Sequence, residues 1–414
     1  IPGARFSPDG SQIAFTQNRP ADQKGFDVVL LPVRGGSAPV KVAADASSPV
    51  WSPDGKRLLF ISDRNGSNDL WSIRIEGGKP AGVPEFVKER VDGLLDVSPE
   101  GDCFYRTRNL VRDLFTAGID PRTGRLTEEP RQMTQRHETY GAAWSPNGEY
   151  LAYYQWQNQA RDYKVVIRSM KTGEDRELPL KEPLSLYSHK PQWFPDNRAL
   201  FMHYGAAGKL SRFDIQTGEF RPVLESVTVP LYNNVGNAYY ATFVVLSPDG
   251  RAIYYLARDL EKGGTRILRR DLDGGPEVEI SRIDSDSVQA LAIAPDGSRL
   301  AVVVPRPPRG QVIMTLAASG GEPKEVFASA GWAPRDVMWT RDSRRLFFFN
   351  KHGKSQIHSI PAEGGEPQPL GIDMHDFYFL NLHPDGKQII FADEQWNHHL
   401  WVVKNLFPPA KPAR

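Results

Sequence analysis

Apolar residues along this chain fall in short runs separated by turn-forming residues, with no helical stripe. Residues 50–78 show the unit clearly. Val50-Trp51 precedes a Ser-Pro-Asp-Gly turn, Leu58-Leu59-Phe60-Ile61 follows it, 62–69 are polar, Leu70-Trp71-Ser72-Ile73 is apolar again, and Gly77-Gly78 ends the run. Aromatic and β-branched runs bounded by Gly, Asn and Asp predict strands. Pro presets φ at the second turn position, Asp suits the third, and Gly takes the left-handed conformation that returns the chain antiparallel.

The unit recurs nine times at intervals of 43 to 53 residues, with turn prolines at Pro8, Pro53, Pro99, Pro146, Pro195, Pro248, Pro295 and Pro384 and with Arg341 at the corresponding position of the eighth copy. Asn197 replaces the turn glycine in the fifth copy and tolerates its conformation. Ser343 in the eighth does so poorly, so the eighth turn is expected to be the least regular. Four short strands per copy, repeated along the chain, predict an all-β fold: a β-propeller of four-stranded antiparallel blades with nine repeats, or eight blades if the irregular eighth copy is an insertion. One propeller domain is expected over 1–414, with 408–414 as a tail.

Glycine turns between third and fourth strands number eight, one fewer than the Pro-Asp-Gly turns. The last blade then lacks an outer strand, leaving an edge that carries Leu400, Trp401 and Val402. Proteins cover such edges. Residues preceding Ile1, a strand from a neighbouring subunit in a homo-oligomer, or the tail are the three ways to do so.

Composition narrows the functional classes. With 51 Lys+Arg and 50 Asp+Glu, no strong field draws the chain to nucleic acid. With 34 Pro and 36 Gly, long helices have little room, and no apolar run approaches the ~18 residues of a membrane span, so no membrane insertion of this segment is expected. Cys103 is the single cysteine and cannot form an internal disulfide; beside Phe104 and Tyr105 it reads as a small buried residue. No G-x-S-x-G, G-x-x-x-x-G-K-[ST] or H-E-x-x-H motif occurs, which argues against chemistry of the chain's own. No cofactor and no metal are expected.

The Ser-Pro-Asp-Gly turns followed by strands such as Lys56-Arg57-Leu58-Leu59-Phe60 resemble the PD40 (WD40-like) repeats of TolB-type propellers, over almost the whole chain. TolB carries an extra small α/β domain and fewer blades, so its role in a Tol–Pal envelope complex transfers to no residue here. The phrase His399-Leu400-Trp401-Val402-Val403-Lys404-Asn405-Leu406-Phe407-Pro408 is similar to the end of PD40 propellers appended to bacterial kinases and winged-helix regulators. These resemblances imply a bacterial, extracytoplasmic (periplasmic or secreted) protein.

Strand polarity puts the Pro-Asp-Gly and Gly-Gly turns at one end of every blade and the variable loops at the other. Seven of the nine histidines fall in variable loops, as does the longest connection, about 225–240. Binding residues concentrate on such loops. The expected ligand-binding residues are His137, Tyr140, His189, Tyr232, Asn233, Trp332, Arg335, His375 and Asp376, contacting a protein partner or a small molecule; no catalytic residue is assigned. Oligogalacturonate lyases join a PD40-like propeller to a manganese held by histidines and a glutamine, so a metal-dependent polysaccharide lyase using His137, His189 and His375 is the enzymatic alternative.

Overall fold

The computed structural model describes residues 3–19, 25–35, 38–135, 138–157, 162–180, 190–204, 209–224, 243–307, 310–329, 334–350 and 355–408. Among them there is no helix. The strands form eight antiparallel sheets, seven of four strands and one of five.

The turn chemistry explains the repetition. In the second copy the Ser52 hydroxyl donates to Asp54 Oδ1 (2.7 Å) and accepts from the Arg57 amide (2.8 Å), while Asp54 Oδ1 also accepts from the Lys56 amide (3.0 Å). The same bonds recur around Ser7 and Asp9, Ser247 and Asp249, and Thr340 and Asp342. The eighth turn closes as regularly as the others: Ser343 adopts φ 57° and donates its amide to Thr340 O at 2.9 Å. Its side-chain bonds outweigh the missing glycine, so the irregularity expected there does not occur. The eighth copy is a complete sheet of Pro334–Trp339, Arg345–Asn350, Ser355–Pro361 and Gln368–Met374.

Nine turns make eight sheets because the third and ninth copies share two long strands, Cys103–Ile119 and Gln388–Val403. The chain has two compact units, Ile1–Leu110 with Trp396–Arg414, and Val111–Gln395, and both changes of unit fall inside those strands.

In Val111–Gln395 six blades close into a ring. Blade 1 runs from Thr139–Trp144 to Asp175–Pro179, blade 2 from Gln192–Trp193 to Phe220–Leu224, blade 3 from Val244–Leu246 to Val278–Ile283 and blade 4 from Ala290–Ile293 to Lys324–Ala328. Blade 5 is the eighth copy. Blade 6 joins Phe377–Leu382 and the first half of Gln388–Val403 to the second half of Cys103–Ile119 and Leu126–Gln132. Alternation sends neighbouring side chains to opposite faces, so each blade feeds two cores. Tyr154 clusters with Phe213, Phe201 with Tyr255, Leu256 with Leu300, Val303 with Phe348, Phe349 with Phe391, and Ile390 with Tyr153, which returns the circuit to blade 1. Blade 6 thus obtains its third and fourth strands from residues 111–132 of the same chain.

The other unit is an open series of three sheets. The first is Arg5–Phe6, Gln12–Asn18, Phe26–Pro32 and Val40–Ala44, and the second is Ala46–Trp51, Arg57–Ser62, Asp69–Glu76 and Lys79–Lys88. The third pairs Gly93–Val97 and residues 103–110 with residues 396–403. One cluster around Leu30 and Phe60 joins the first two, and one around Leu59 and Cys103 joins the last two. Cys103 is fully buried there, and burial, aided by Asp96, pushes its thiol up to about 11. Residues 396–403, with Leu400, Trp401 and Val402 exposed, have no fourth strand beyond them among the described residues. The expected edge therefore exists, in this unit.

Two predictions follow from the turns. The hydroxyl of Ser7, then the Ser11 amide and hydroxyl, hold Asp9 down at about 2 against an ordinary 3.8, and the Ser247 hydroxyl lowers Asp249 in the same way. A depressed folded-state pKa adds stability that is complete above the unfolded value and is lost as pH falls through the folded one. Thermal midpoints should therefore drop between about pH 4 and pH 2; a flat profile over that window would refute the role given to these turns. The second concerns Gly101 (φ 91°), where a Cβ would stand 1.9 Å from the Phe407 carbonyl oxygen, whereas Gly10 (φ 68°) has open space. Gly10→Ala should cost about 1–2 kcal/mol from backbone strain alone. Gly101→Ala should cost visibly more in a denaturant melt, because backbone must move.

Candidate functional site

The first strands of the six blades line the axis of Val111–Gln395 and enclose a cavity of about 360 Å³. Its walls include Trp144, Trp193, Leu291, Val337, Trp339 and Leu380, with Gln192, Ser247 and Asn381 as polar points. A volume of ~300–1,000 Å³ with apolar walls and few polar groups is the usual form of a small-ligand site. The second turn residue of each blade forms the rim: Pro146, Pro195, Pro248, Pro295 and Pro384, with Arg341 as the sixth. The opening lies at the end carrying the uniform turns.

At the far end the Lys190 ammonium meets Asp336 Oδ1 at 2.7 Å, joining blades 2 and 5, which stand opposite in a ring of six. Asp336 is buried at 5% exposure and Lys190 is partly buried at 15%, and Asp336 Oδ2 also accepts the Leu380 amide from blade 6 (3.0 Å). Asp336 takes φ 40°, unusual for a residue with a Cβ, in a register irregularity of its strand. The backbone is bent to aim this carboxylate across the axis.

The rim departs from a uniform ring of prolines at Arg341, and the next blade carries His383 before its proline. Arg341 is exposed and enters no ion pair among the described residues. His383 precedes Pro384, a position that the other copies fill with Ser, Thr, Phe194 or Ala294; its Nδ1 lies 2.8 Å from Asp385 Oδ1 and its ring meets Trp144 edge-on at 5.1 Å. Burial raises Asp385, but the Lys387 amide and His383 outweigh it and hold the carboxyl below its ordinary value. In the regular arrangement the Trp of a first strand donates to the preceding first strand: Trp193 Nε1 to Ala143 O at 2.9 Å and Trp339 Nε1 to Ala292 O at 3.4 Å. Trp144 is 95% buried, lines the cavity beside His383, and its Nε1–H has no hydrogen-bond partner among the described residues. A cation, an imidazole and an indole thus line the same cavity.

Of the residues expected to bind ligand, His137, His189, Tyr232, Asn233 and Trp332 lie outside the described residues. The other four belong to the end opposite the rim. Tyr140 carries the Arg112 guanidinium over its ring at 3.9 Å, and Arg112 pairs with buried Glu394 through Nε at 3.0 Å. Burial, moderated by Arg112, raises the neighbouring Glu138. His375 Nδ1 lies 3.1 Å from Asp393 Oδ2 and 3.1 Å from Gln395 Nε2, and Asp393 Oδ1 accepts the amides of His375 and Asp376. Asp376 accepts the Ser355 hydroxyl (3.2 Å), and its carbonyl accepts the Glu394 amide (2.8 Å). Tyr140, His375 and Asp376 are therefore brought together in one network of blades 6 and 1. Arg335 is half-buried opposite Phe349 in blade 5. Among the described residues, no group of three or more His, Cys, Asp or Glu is arranged to hold a metal. Arg341 is visible in the sequence as the one turn of the nine without a proline.

No protein-family model matches the chain. Over 210 residues it is 28% identical to YuxL, an uncharacterized peptidase of Bacillus subtilis, a match covering 47% of this chain and 28% of that protein. Over 238 residues it is 24% identical to an uncharacterized protein of Agrobacterium fabrum, covering 55% and 73%. Among solved structures it is similar to a protein of Agrobacterium tumefaciens assigned to TolB, with TM-score 0.53 and 13% identity over 69% of this chain and 99% of that one. The fold is a TolB-like β-propeller.

Asp336→Asn, which keeps the acceptor for Leu380 but strands the Lys190 charge, should lower stability by about 3–5 kcal/mol. A urea melt in which the variant matches the native chain would show that the pair does not close the axis.

Proposed function

We propose that this chain is a binding module with no chemistry of its own, which receives an anionic group, carried by a small molecule or a protein partner, at the mouth of its axial cavity. The observation that carries this reading is Arg341, a single exposed guanidinium in a rim otherwise made of prolines, beside His383 and the unpartnered indole N–H of Trp144. Arg341 offers a planar fork suited to a carboxylate or phosphate, and Trp144 Nε1–H adds one directed donor. The apolar walls below would take the remainder of the ligand. At the opposite end the described side chains are engaged with one another, which favours the rim. The net charge of +1 supports a local anion site over a polyanion-binding surface. The resemblance to TolB-type propellers supports a bacterial, extracytoplasmic setting.

The reading is tested with aromatic carboxylates and with peptides ending in a free carboxylate, titrated into the native chain and into Arg341→Pro, which restores the residue of the other five positions. Losing a charge-assisted hydrogen bond worth about 1.5–3 kcal/mol should weaken binding roughly tenfold to a hundredfold with the melting curve unchanged. Equal affinities for the two proteins, or no binding of any probe by the native chain, would contradict it.

A further inference from the structure

The wall of the axial cavity follows the repeat. Counting back three residues from the rim position of each blade gives Ala143, Gln192, Val245, Ala292, Met338 and Asn381, and all six line the cavity. Three residues of strand span about 10 Å, so this layer lies below the rim, beneath a collar that includes Trp144, Trp193 and Trp339. Two of its members are polar. Gln192 is spent within the fold, because its Nε2 donates to Val244 O at 2.8 Å and its Oε1 accepts the Leu246 amide at 2.9 Å, which ties blade 2 to blade 3. Asn381 is partly buried, and its side-chain amide makes no hydrogen bond among the described residues.

The joint between blade 6 and blade 1 is irregular at the same level. Where the residue two before the rim is Trp, its indole donates to the carbonyl three before the rim of the preceding sheet: Trp51 Nε1 to Arg5 O at 3.2 Å, Trp193 Nε1 to Ala143 O at 2.9 Å and Trp339 Nε1 to Ala292 O at 3.4 Å. Trp144 is a fourth Trp at that position, and blade 6 precedes it, so its acceptor in the repeat is the Asn381 carbonyl. That bond is not made, since Trp144 Nε1 is buried and has no partner among the described residues. Leu380 and Leu382 pack toward blade 5, so alternation turns Asn381 to the other face, and its register partner Ile390 packs with Trp144. A carboxamide and an indole N–H are thus left unspent on one side of the cavity, and polar groups removed from water without partners are costly to keep.

We propose that Asn381 and Trp144 form the inner end of the ligand site and select an uncharged hydroxyl, so that the ligand is a carboxylic acid whose acid group and hydroxyl stand at opposite ends of an apolar body. This rests on the reading that the mouth takes an anion through Arg341. A hydroxyl accepts from Trp144 Nε1–H while donating to Asn381 Oδ1, and so spends both groups at once. An ether oxygen can only accept, and a second charge would be taken out of water beneath the collar at high cost. The apolar body lies between the two ends, against the indoles and against Val245, Leu246 and Leu291 of blades 3 and 4.

Calorimetric titration with phenylpropionate and its para-hydroxy and para-methoxy derivatives tests this on the native chain. The hydroxy acid should bind about tenfold more tightly than the parent acid, and the methoxy acid no more tightly than the parent. Arg341→Pro should weaken all three alike. Asn381→Leu, of similar volume, and Trp144→Phe, which keeps a ring without the N–H, should each bring the hydroxy acid and the parent toward equal affinity, with circular dichroism melts showing that the variants are folded. Arg341-dependent binding with no preference for the hydroxy acid overturns this proposal and leaves the anion reading standing. A preference that survives in both Asn381→Leu and Trp144→Phe also overturns it. Binding of none of the three acids overturns it as well, and the peptide titration then decides the anion reading by itself.

Discussion

Every sheet here is apolar on both faces, and a four-stranded sheet of that kind cannot hide itself. In Val111–Gln395 each blade sends one residue of an adjacent pair to each neighbour: Tyr153 and Tyr154, Tyr255 and Leu256, Phe348 and Phe349, Ile390 and Phe391. A linear stack would leave two such faces in water, whereas a ring leaves none. The axial cavity follows from the same requirement. Six first strands brought around one axis leave a space that bulky Trp side chains narrow and that the Lys190–Asp336 pair closes at one end.

Much of this was legible in the residue order. The Ser-Pro-Asp-Gly spacing announces nine hairpins, and all nine fourth turn positions, Asn197 and Ser343 included, take positive φ. The distribution of those hairpins over sheets was not legible. Copy three looks complete in sequence because Arg106-Thr107-Arg108-Asn109 has the polarity of a loop. In the structure it lies in the middle of a 17-residue strand. Polar side chains are compatible with either state when both faces at that point are partly solvated, so hydrophobic alternation cannot separate them.

The candidate site divides in the same manner. Arg341 interrupts the series of turn prolines and was detectable as a break in a pattern, whereas the position of His383 already varies, with Phe194 and Ala294 in other copies. The placement of Arg341 and His383 in one cavity with Trp144 depends on blade 6 standing next to blade 1, a closure between residues 239 positions apart in sequence. Among the loop residues singled out for their chemistry, His375 contacts Asp393 and Tyr140 lies under the Arg112 guanidinium. The type of a residue is visible in a sequence; its partners in the fold are not.

The central claim is that this chain holds a closed ring of six sheets, Val111–Gln395, and not a single ring of eight or nine. Electron cryo-microscopy of the full chain measures this most directly, in a reconstruction viewed down the axis lined by Trp144, Trp193 and Trp339. The account predicts six radial sheets around that axis, one of them containing residues 111–132 and 377–395 together. Eight or nine sheets around it, or residues 111–132 in a different blade from 377–395, would contradict it.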